Sequence, residues 1–268
     1  MIPPVVDVAW YLARRGSVVT ADVRYYLDGR SARAAYDGGH LPGAVFVDMD
    51  RWLSTPGDPA DGRHPMPSPT TFAEGMGRLG IGDADAVVAY DDSGGTTAAR
   101  LVWMLRAIGH DAALLDGGLL ACDGPLEVAP GDRRPTVFTA VPWPVDRLAT
   151  IDDAGDETHV VIDARDGARY RGETEPVDPV AGHIPGARSL PCRDHLGPDR
   201  RFLPVDALRA RFTAVGIDPG ASVVSYCGSG VTACHNLLAM EHAGLGLGRL
   251  YPGSWSAYCH TPGRPIAP

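Results

Sequence analysis

The sequence contains no lysine. All 24 of its basic residues are arginines, and 33 acidic residues leave a net charge of -9 over 268 residues. Two classes of enzyme are thereby excluded, because Schiff-base catalysis needs a lysine amine and the P-loop needs a lysine beside its phosphates. Any anionic small molecule would have to be bound by arginine side chains and backbone N–H groups.

Clusters of basic residues are also scarce. The only adjacent arginines are Arg14-Arg15, Arg133-Arg134 and Arg200-Arg201. Proteins that bind nucleic acids present a basic stripe or patch to the phosphate backbone. Because this chain is acidic and has no such stripe, we expect no nucleic-acid partner.

Long apolar runs are missing as well. No window approaches the roughly 18 consecutive apolar residues of a membrane span. Residues 1–15 place their arginines after the apolar stretch and include two prolines, which is not the pattern of a secretory signal. The sequence therefore predicts a cytoplasmic protein with no membrane partner.

Cysteine is infrequent and irregularly spaced. There are five cysteines, an odd number, and none of them form a Cys-x-x-Cys pair. This pattern disfavours both a disulfide framework and a four-cysteine zinc site. We expect free thiols and no metal. The cysteines are Cys122, Cys192, Cys227, Cys234 and Cys259.

The chain contains an internal repeat. The motif Gly-His-Leu-Pro-Gly-Ala at 39–44 recurs as Gly-His-Ile-Pro-Gly-Ala at 182–187, and residues 80–117 align with 216–253 without a gap. The matches occur in the same order in both halves, so a duplication explains them better than chance. Arg24 and Arg165 also correspond, each two residues after an aspartate, which favours a structural ion pair in both halves.

The duplication predicts two homologous domains. We place the first at residues 1–122 and the second at 147–268. Residues 123–146 contain five prolines and show no clear hydrophobic period, so they are predicted to be a linker.

Short apolar runs alternate with helical patterns in each half, which predicts α/β domains with a mostly parallel sheet flanked by helices. A capping-box pattern at Thr71–Glu74 predicts that a helix opens there. The predicted strands are 18–24, 44–48, 86–90 and 112–115 in the first half, and 160–165, 187–190, 222–226 and 249–251 in the second.

The segment around Cys227 carries the clearest chemical signal. Cys227 follows the apolar run 222–226, where open α/β sheets place their ligands. Gly228 and Gly230 allow the next residues to curl with their N–H groups inward, and a helix start adds unpaired N–H groups and a positive dipole end. These groups favour the thiolate form of the cysteine. The segment is predicted to hold a nucleophile in an anion cradle.

The first half carries a different residue at this position. Its loop reads Asp91-Asp92-Ser93-Gly94-Gly95-Thr96, so Asp91 stands where Cys227 stands. Carboxylates there repel an anion and cannot act as a sulfur nucleophile. Only the second loop is therefore predicted to be active.

Three groups of residues resemble the two-domain rhodanese-type sulfurtransferases. They are Cys-Gly-Ser-Gly-Val-Thr at 227–232, the paired motifs at 39–44 and 182–187, and Arg-Tyr-Arg-Gly at 169–172. The resemblance implies tandem rhodanese-like domains, of which the N-terminal one is inactive and the C-terminal one catalytic. It also implies a persulfide on Cys227 and no cofactor.

The resemblance further implies roles for side chains around the loop. Arg169 would bind the anionic end of the sulfur donor, while Ser229 and His40 would form a proton relay with an aspartate that the sequence does not place. Relatives acting on mercaptopyruvate often have a second arginine in the stretch corresponding to 175–179, and this chain lacks it there. Thr232 is predicted to cap the helix that follows. The expected donor-binding residues are Arg169, Gly228, Ser229, Gly230, Val231 and Thr232.

We expect sulfur transfer from 3-mercaptopyruvate to a small thiol, cyanide or a protein dithiol. The residues after Cys227 are uncharged, which suits a monoanionic donor better than dianionic thiosulfate. Thiosulfate:cyanide sulfurtransferase activity and a non-catalytic persulfide carrier remain as alternatives. A cysteine phosphatase is disfavoured, because its Cys-x5-Arg loop would need arginine where Ala233 stands.

Overall fold

The computed structural model describes residues 1–129, 131 and 133–268, and the chain forms two compact units. Unit 1 consists of Met1–Thr55, Pro67–Trp143 and Pro198–Phe202, and unit 2 consists of Pro56–Met66, Pro144–Gly197 and Leu203–Pro268. Each unit thus includes a short segment from the other half of the sequence. We call residues 56–66, which belong to unit 2, the arm.

The segment predicted as a linker, residues 123–146, is mostly part of unit 1. His40 and Glu127 form an antiparallel bridge, and the N–H of Thr136 donates to the carbonyl of Gly77 over 2.9 Å. These backbone hydrogen bonds hold the segment to unit 1 as far as Trp143. Pro130 and Asp132 of the predicted linker lie outside the described residues.

Unit 1 is built on a five-stranded parallel sheet in the order β1-β5-β4-β2-β3. Helices connect the strands, as parallel pairing requires. The strands are β1 Val5–Val6, β2 Val18–Asp22, β3 Val45–Phe46, β4 Ala86–Tyr90 and β5 Ala112–Leu115. The helices are α1 Val8–Arg14, α2 Ala32–Gly38, α3 Met49–Trp52, α4 Pro69–Arg78 and α5 Ala98–Ala107.

Unit 2 repeats this topology with a four-stranded parallel sheet in the order β7-β6-β8-β9. Leu148 adds a parallel bridge to Leu250, at the edge that β1 occupies in unit 1. The strands are β6 Val160–Asp163, β7 Arg188–Ser189, β8 Val223–Tyr226 and β9 Arg249–Leu250. The helices are α6 Gly167–Tyr170, α7 Val205–Ala214, α8 Ala233–His242 and α9 Ser254–His260.

The predicted α/β class is confirmed, and a strand lies within each predicted range, although most strands are shorter than predicted and β1 was not predicted. The strand β8 is buried along its whole length, because helices cover both faces of a parallel sheet. The start of α4 was predicted wrongly: Ser68 caps this helix by accepting from the N–H of Thr71, and Pro69 occupies the first helical position that proline favours. In the part of the chain that the structure describes, no helix has the length and apolar character needed to span a membrane.

The repeated arginines form the same buried ion pair in both units. Arg24 pairs with Asp22 and donates to the carbonyl of Gly39 over 2.8 Å. Arg165 pairs with Asp163 and donates to the carbonyl of Gly182 over 2.6 Å. The predicted structural role of these arginines is confirmed, since each one joins the end of a central strand to the loop that carries the repeated motif.

The repeated histidines are also equivalent. His40 stacks on Tyr36 with ring centroids 3.8 Å apart, and its Nδ1 lies 2.8 Å from the Tyr36 carbonyl. His183 stacks on Tyr170 at the same centroid distance, with its Nδ1 2.8 Å from the Tyr170 carbonyl. Because both units contain this arrangement, it serves the fold rather than a reaction confined to one unit.

Candidate active site

Cys227 lies directly after β8, at the carboxyl end of the strand. The residue is 2% exposed. Its N–H donates to Ser254 Oγ over 3.1 Å, and its carbonyl accepts from the N–H of Trp255 over 2.9 Å. Its Sγ accepts a hydrogen bond from the N–H of Gly230 over 3.1 Å. The backbone is thus fixed on both sides, and one loop N–H already points at the sulfur.

The loop after Cys227 curls because Gly230 adopts a backbone conformation that suits glycine. Its φ is +77°, and a Cβ built there would lie 2.6 Å from the Pro252 carbonyl oxygen. Ser254, on the opposite side of the cysteine, has a φ of +53° although it is not glycine. Its hydroxyl accepts from Cys227 N–H and donates to the Tyr251 carbonyl over 2.9 Å, and these bonds hold the unusual conformation in place.

The corresponding loop of unit 1 shows what such a loop does with an anion. The Asp91 carboxylate accepts hydrogen bonds from the backbone N–H groups of Ser93, Gly95, Thr97 and Ala98 at 2.8–3.0 Å. The Thr97 hydroxyl adds a fifth at 2.9 Å. A side-chain anion therefore fills this loop from within. In the alignment of the two halves, the residues of unit 2 that correspond to these four N–H donors are 229, 231, 233 and 234.

Replacement of Asp91 by alanine is expected to destabilise unit 1. The buried N–H groups would lose their acceptor, and we expect the free energy of unfolding to fall by about 3 kcal/mol or more. Asp92→Ala is the matched control, because the Asp92 carboxylate accepts from the Tyr26 hydroxyl and should contribute about 1 kcal/mol. Urea unfolding followed by circular dichroism would compare the two variants. Equal losses would contradict the role assigned to Asp91.

Ser229 lies two residues beyond the cysteine and is 8% exposed. Its Oγ is 2.8 Å from Nδ1 of His64, which is itself buried. His64 belongs to the arm and so comes from the first half of the sequence. A hydroxyl in contact with an imidazole can pass a proton to a reacting group in either direction.

The predicted pairing of His40 with Ser229 is not what the structure contains. His40 belongs to unit 1, where its ring stacks on Tyr36, and the imidazole in contact with Ser229 is that of His64. The repeated motif drew attention to His40, but a repeated residue reflects the common fold. A signal for His64 does exist in the sequence: the interval from Ala44 to Gly80 is seven residues longer than that from Ala187 to Gly216. The arm lies within this longer interval.

Arg169 was expected in a loop after β6, and it lies in the single-turn helix α6. Its guanidinium donates to both carboxylate oxygens of Glu175, at 2.6 and 3.1 Å, and to Asp178 at 3.4 Å. Burial acts to raise the pKa of Glu175, but the bonds from Arg169 and from nearby backbone N–H groups outweigh it, so this pKa is lowered. Glu175 is therefore a charged partner of Arg169 at neutral pH.

Arg63 is a second arginine at the loop, and no sequence motif pointed to it. Its guanidinium forms an ion pair with Asp178, the carboxylate that Arg169 also reaches. A Cβ built on Gly228 would lie 2.8 Å from Arg63 Nη2 and 3.5 Å from Arg169 Nη1. Both guanidinium groups thus approach the residue that follows Cys227.

Val231 and Thr232, the last two predicted loop residues, lie at the start of α8 and differ in burial. Val231 is buried, and Thr232 is half-buried at the start of α8. Thr232 has helical backbone angles, and no capping hydrogen bond from its side chain is found within the described chain, so the predicted cap is wrong. A cap residue needs an extended backbone to turn its oxygen toward the free N–H groups.

The remaining thiols are poor nucleophiles. Burial raises the pKa of Cys192 to about 12 and that of Cys259 to about 11, so both stay protonated at neutral pH. Burial likewise raises the pKa of Cys122. The Cys234 thiol, on α8, donates to the carbonyl of Gly230 over 3.3 Å. This hydrogen bond joins the helix to the loop that follows Cys227. Among the residues described, no three His, Cys, Asp or Glu side chains are grouped as a metal site would require.

The family model for the rhodanese-like domain matches residues 7–122 and again residues 146–261. The chain belongs to the rhodanese family. The predicted two-domain rhodanese type is thereby confirmed, and Cys227 lies within the second of the two matched segments.

Similar proteins agree with this assignment. A probable 3-mercaptopyruvate sulfurtransferase from Pseudomonas aeruginosa is 43% identical, over 93% of this chain and 92% of its own. A putative thiosulfate sulfurtransferase, SseB, from Mycobacterium tuberculosis is 42% identical, over 91% of this chain and 89% of its own. The crystal structure of the 3-mercaptopyruvate sulfotransferase SseA from Escherichia coli has a TM-score of 0.83 and 30% identity, covering 95% of this chain and 99% of that one.

Proposed function

We propose that this rhodanese is a sulfurtransferase that takes a sulfane sulfur from 3-mercaptopyruvate and passes it to a thiol or to cyanide through a Cys227 persulfide. The observation that carries the proposal is the loop itself. It turns the Gly230 N–H toward Cys227 Sγ, and its counterpart in unit 1 directs four backbone N–H groups to a single side-chain anion. A persulfide is an anion of this kind.

The reaction proceeds by double displacement. The Cys227 thiolate attacks the thiol sulfur of the donor, an S–S bond forms, and the C–S bond breaks with its electron pair leaving on the pyruvate enolate. The S–H proton of the donor ends in the methyl group of pyruvate, so the step neither consumes nor releases a proton. A second nucleophile then attacks the outer sulfur and returns Cys227 as a thiolate.

Ser229 and His64 are suited to move that proton. The hydroxyl lies two residues from the nucleophile, and the 2.8 Å contact with Nδ1 of His64 provides a group that can store the proton between its loss from sulfur and its delivery to carbon. Thiosulfate needs no such step, because sulfite leaves as an anion. The presence of this pair therefore favours a thiol donor.

The charges around the loop also favour a monoanionic donor. The cations Arg63 and Arg169 are matched by the carboxylates Glu175 and Asp178, so the four side chains sum to zero. A dianion such as thiosulfate gains less from a balanced cluster than from an unopposed cation. The acceptor in the cell is proposed to be a small thiol or a reduced protein dithiol of the cytoplasm, since all five cysteines of the chain are free.

The proposal is tested by incubating the protein separately with 3-mercaptopyruvate and with thiosulfate and measuring its intact mass. We expect an adduct of about 32 Da with mercaptopyruvate that cyanide removes as thiocyanate. We also expect kcat/KM for mercaptopyruvate to exceed that for thiosulfate by about tenfold or more. The reverse preference would assign the chain to thiosulfate, as the name of the Mycobacterium tuberculosis relative suggests. An adduct without turnover would indicate a sulfur carrier, and no adduct with either donor would overturn the proposal.

A further inference from the structure

Ser254, the first residue of α9, has a left-handed backbone conformation that suits glycine better than serine. The aligned residue of unit 1 is Gly118, whose φ is +56° against +53° for Ser254. Glycine adopts this conformation freely, whereas a side chain strains it. Unit 2 therefore carries a strain that unit 1 avoids, and strain of this kind is concentrated at functional sites.

The backbone around these two aligned residues is bonded in the same way. The N–H of Leu119 donates to the Asp91 carbonyl over 2.8 Å, and the N–H of Trp255 donates to the Cys227 carbonyl over 2.9 Å. In unit 1 a Cβ built on Gly118 would clash with the Asp91 carbonyl oxygen. Glycine thus forms this junction on its own, so the fold does not require a serine there.

The Ser254 hydroxyl takes a place in the ladder between β8 and β9. These strands pair in parallel, and the N–H of Tyr251 donates to the Ser225 carbonyl over 3.0 Å. The next bond of a regular parallel ladder would join the Cys227 N–H to the Tyr251 carbonyl. The hydroxyl lies between these two groups, accepting from the first over 3.1 Å and donating to the second over 2.9 Å. It is a spacer that holds Cys227 away from the neighbouring chain.

The spacer acts on the cysteine from the side opposite to the loop. Ser254 is completely buried, so it does not meet a substrate, while Cys227 Sγ accepts from the Gly230 N–H over 3.1 Å. Without the hydroxyl, a direct ladder bond would draw Cys227 toward β9 and change the alignment of Sγ with that N–H. Both partners of the hydroxyl are backbone groups, whose bonds do not depend on whether the cysteine carries sulfur.

We propose that Ser254 is a positioning residue for sulfur transfer, whose hydroxyl holds the Cys227 backbone at the distance from β9 at which Sγ meets the N–H groups of the loop. This inference rests on the proposed function and deepens it. It explains why a strained serine stands where glycine would form the fold. Because the hydroxyl acts on the cysteine and not on the donor, its loss slows the reaction with every donor.

Two replacements of Ser254 separate positioning from stability. Ser254→Gly removes both the hydroxyl and the strain, so this variant should melt within about 3 °C of the parent. Ser254→Ala removes the hydroxyl but keeps the strain, so it should melt at a lower temperature. In both variants kcat is expected to fall about tenfold or more, with 3-mercaptopyruvate and thiosulfate alike, while KM stays within about twofold of the parent.

Ser256→Ala is the matched control, since it removes another buried hydroxyl of α9 and should keep kcat within about twofold of the parent. A merely structural role for Ser254 makes a different prediction, because activity would then follow stability. Ser254→Gly would keep the parental kcat while Ser254→Ala lost it, and that result would overturn the inference. Equal losses of kcat in two variants with different melting temperatures are the expected outcome.

Alkylation by iodoacetamide, located by peptide mass mapping, tests the sulfur of Cys227 without any donor. We expect its rate at neutral pH to fall about fivefold or more in Ser254→Gly, because the sulfur loses its alignment with the Gly230 N–H. An unchanged rate would contradict the inference. If the parent formed no persulfide but alkylation still depended on Ser254, the proposed function would fail and the positioning role would stand. An active parent whose kcat and alkylation rate did not depend on Ser254 would have the opposite meaning.

Discussion

Cys227→Ser is expected to eliminate both the sulfur adduct and the production of thiocyanate, with no residual turnover above the uncatalysed rate. A serine hydroxyl at this position is neither ionised nor able to form a persulfide, while the loop around it would be kept by the bonds to Ser254 and Trp255. The loss should therefore occur in a protein of parental stability. Intact-mass measurement after exposure to 3-mercaptopyruvate is the decisive assay.

Cys192→Ser is the matched control for this result. Cys192 is buried in the same unit, but burial raises its pKa to about 12, so its thiol is protonated at neutral pH and should carry no sulfur. We expect this variant to keep turnover within about threefold of the parent. An adduct that survived in Cys227→Ser and disappeared in Cys192→Ser would show that the nucleophile has been assigned to the wrong residue.

Ser229→Ala and His64→Gln are expected to lower kcat with 3-mercaptopyruvate by about 100-fold or more, the range of a lost proton-transfer group. With thiosulfate the same variants should change kcat less than about threefold, since no proton moves in that reaction. This dependence on the donor is the informative measurement, because a merely structural role of the pair would reduce both activities alike.

His183→Gln and His40→Gln complete this comparison. Each histidine is stacked on a tyrosine and bonded to a backbone carbonyl, so replacing either one should lower stability while affecting the two donors equally. A donor-selective loss in His40→Gln would restore the relay first predicted from the sequence. Equal losses for both donors in His64→Gln would remove His64 from the mechanism.

Local sequence patterns were sufficient to predict the repeated architecture. Apolar runs such as 86–90 and 222–226 become buried strands because a parallel sheet covered on both faces requires continuous apolar segments. The position of Cys227 followed from the same logic, since the residue after a central strand lies at the ligand-binding edge. Asp91 was predicted to inactivate its loop, and the structure adds that its carboxylate fills the loop with its own hydrogen bonds.

The sequence by itself thus determined that the chain is a tandem repeat in which only the second loop carries a cysteine after its strand. Strand burial, loop curvature and the residue that follows a strand are all properties of neighbouring residues. Only the tertiary structure decided which side chains lie beside the loop that follows that cysteine. Arg63 and His64 are more than 100 residues from Gly228 and Ser229 along the chain, and the arm that carries them joins unit 2. No local period or motif encodes the contact between the arm and this loop, because the contact depends on how residues distant in sequence pack against each other.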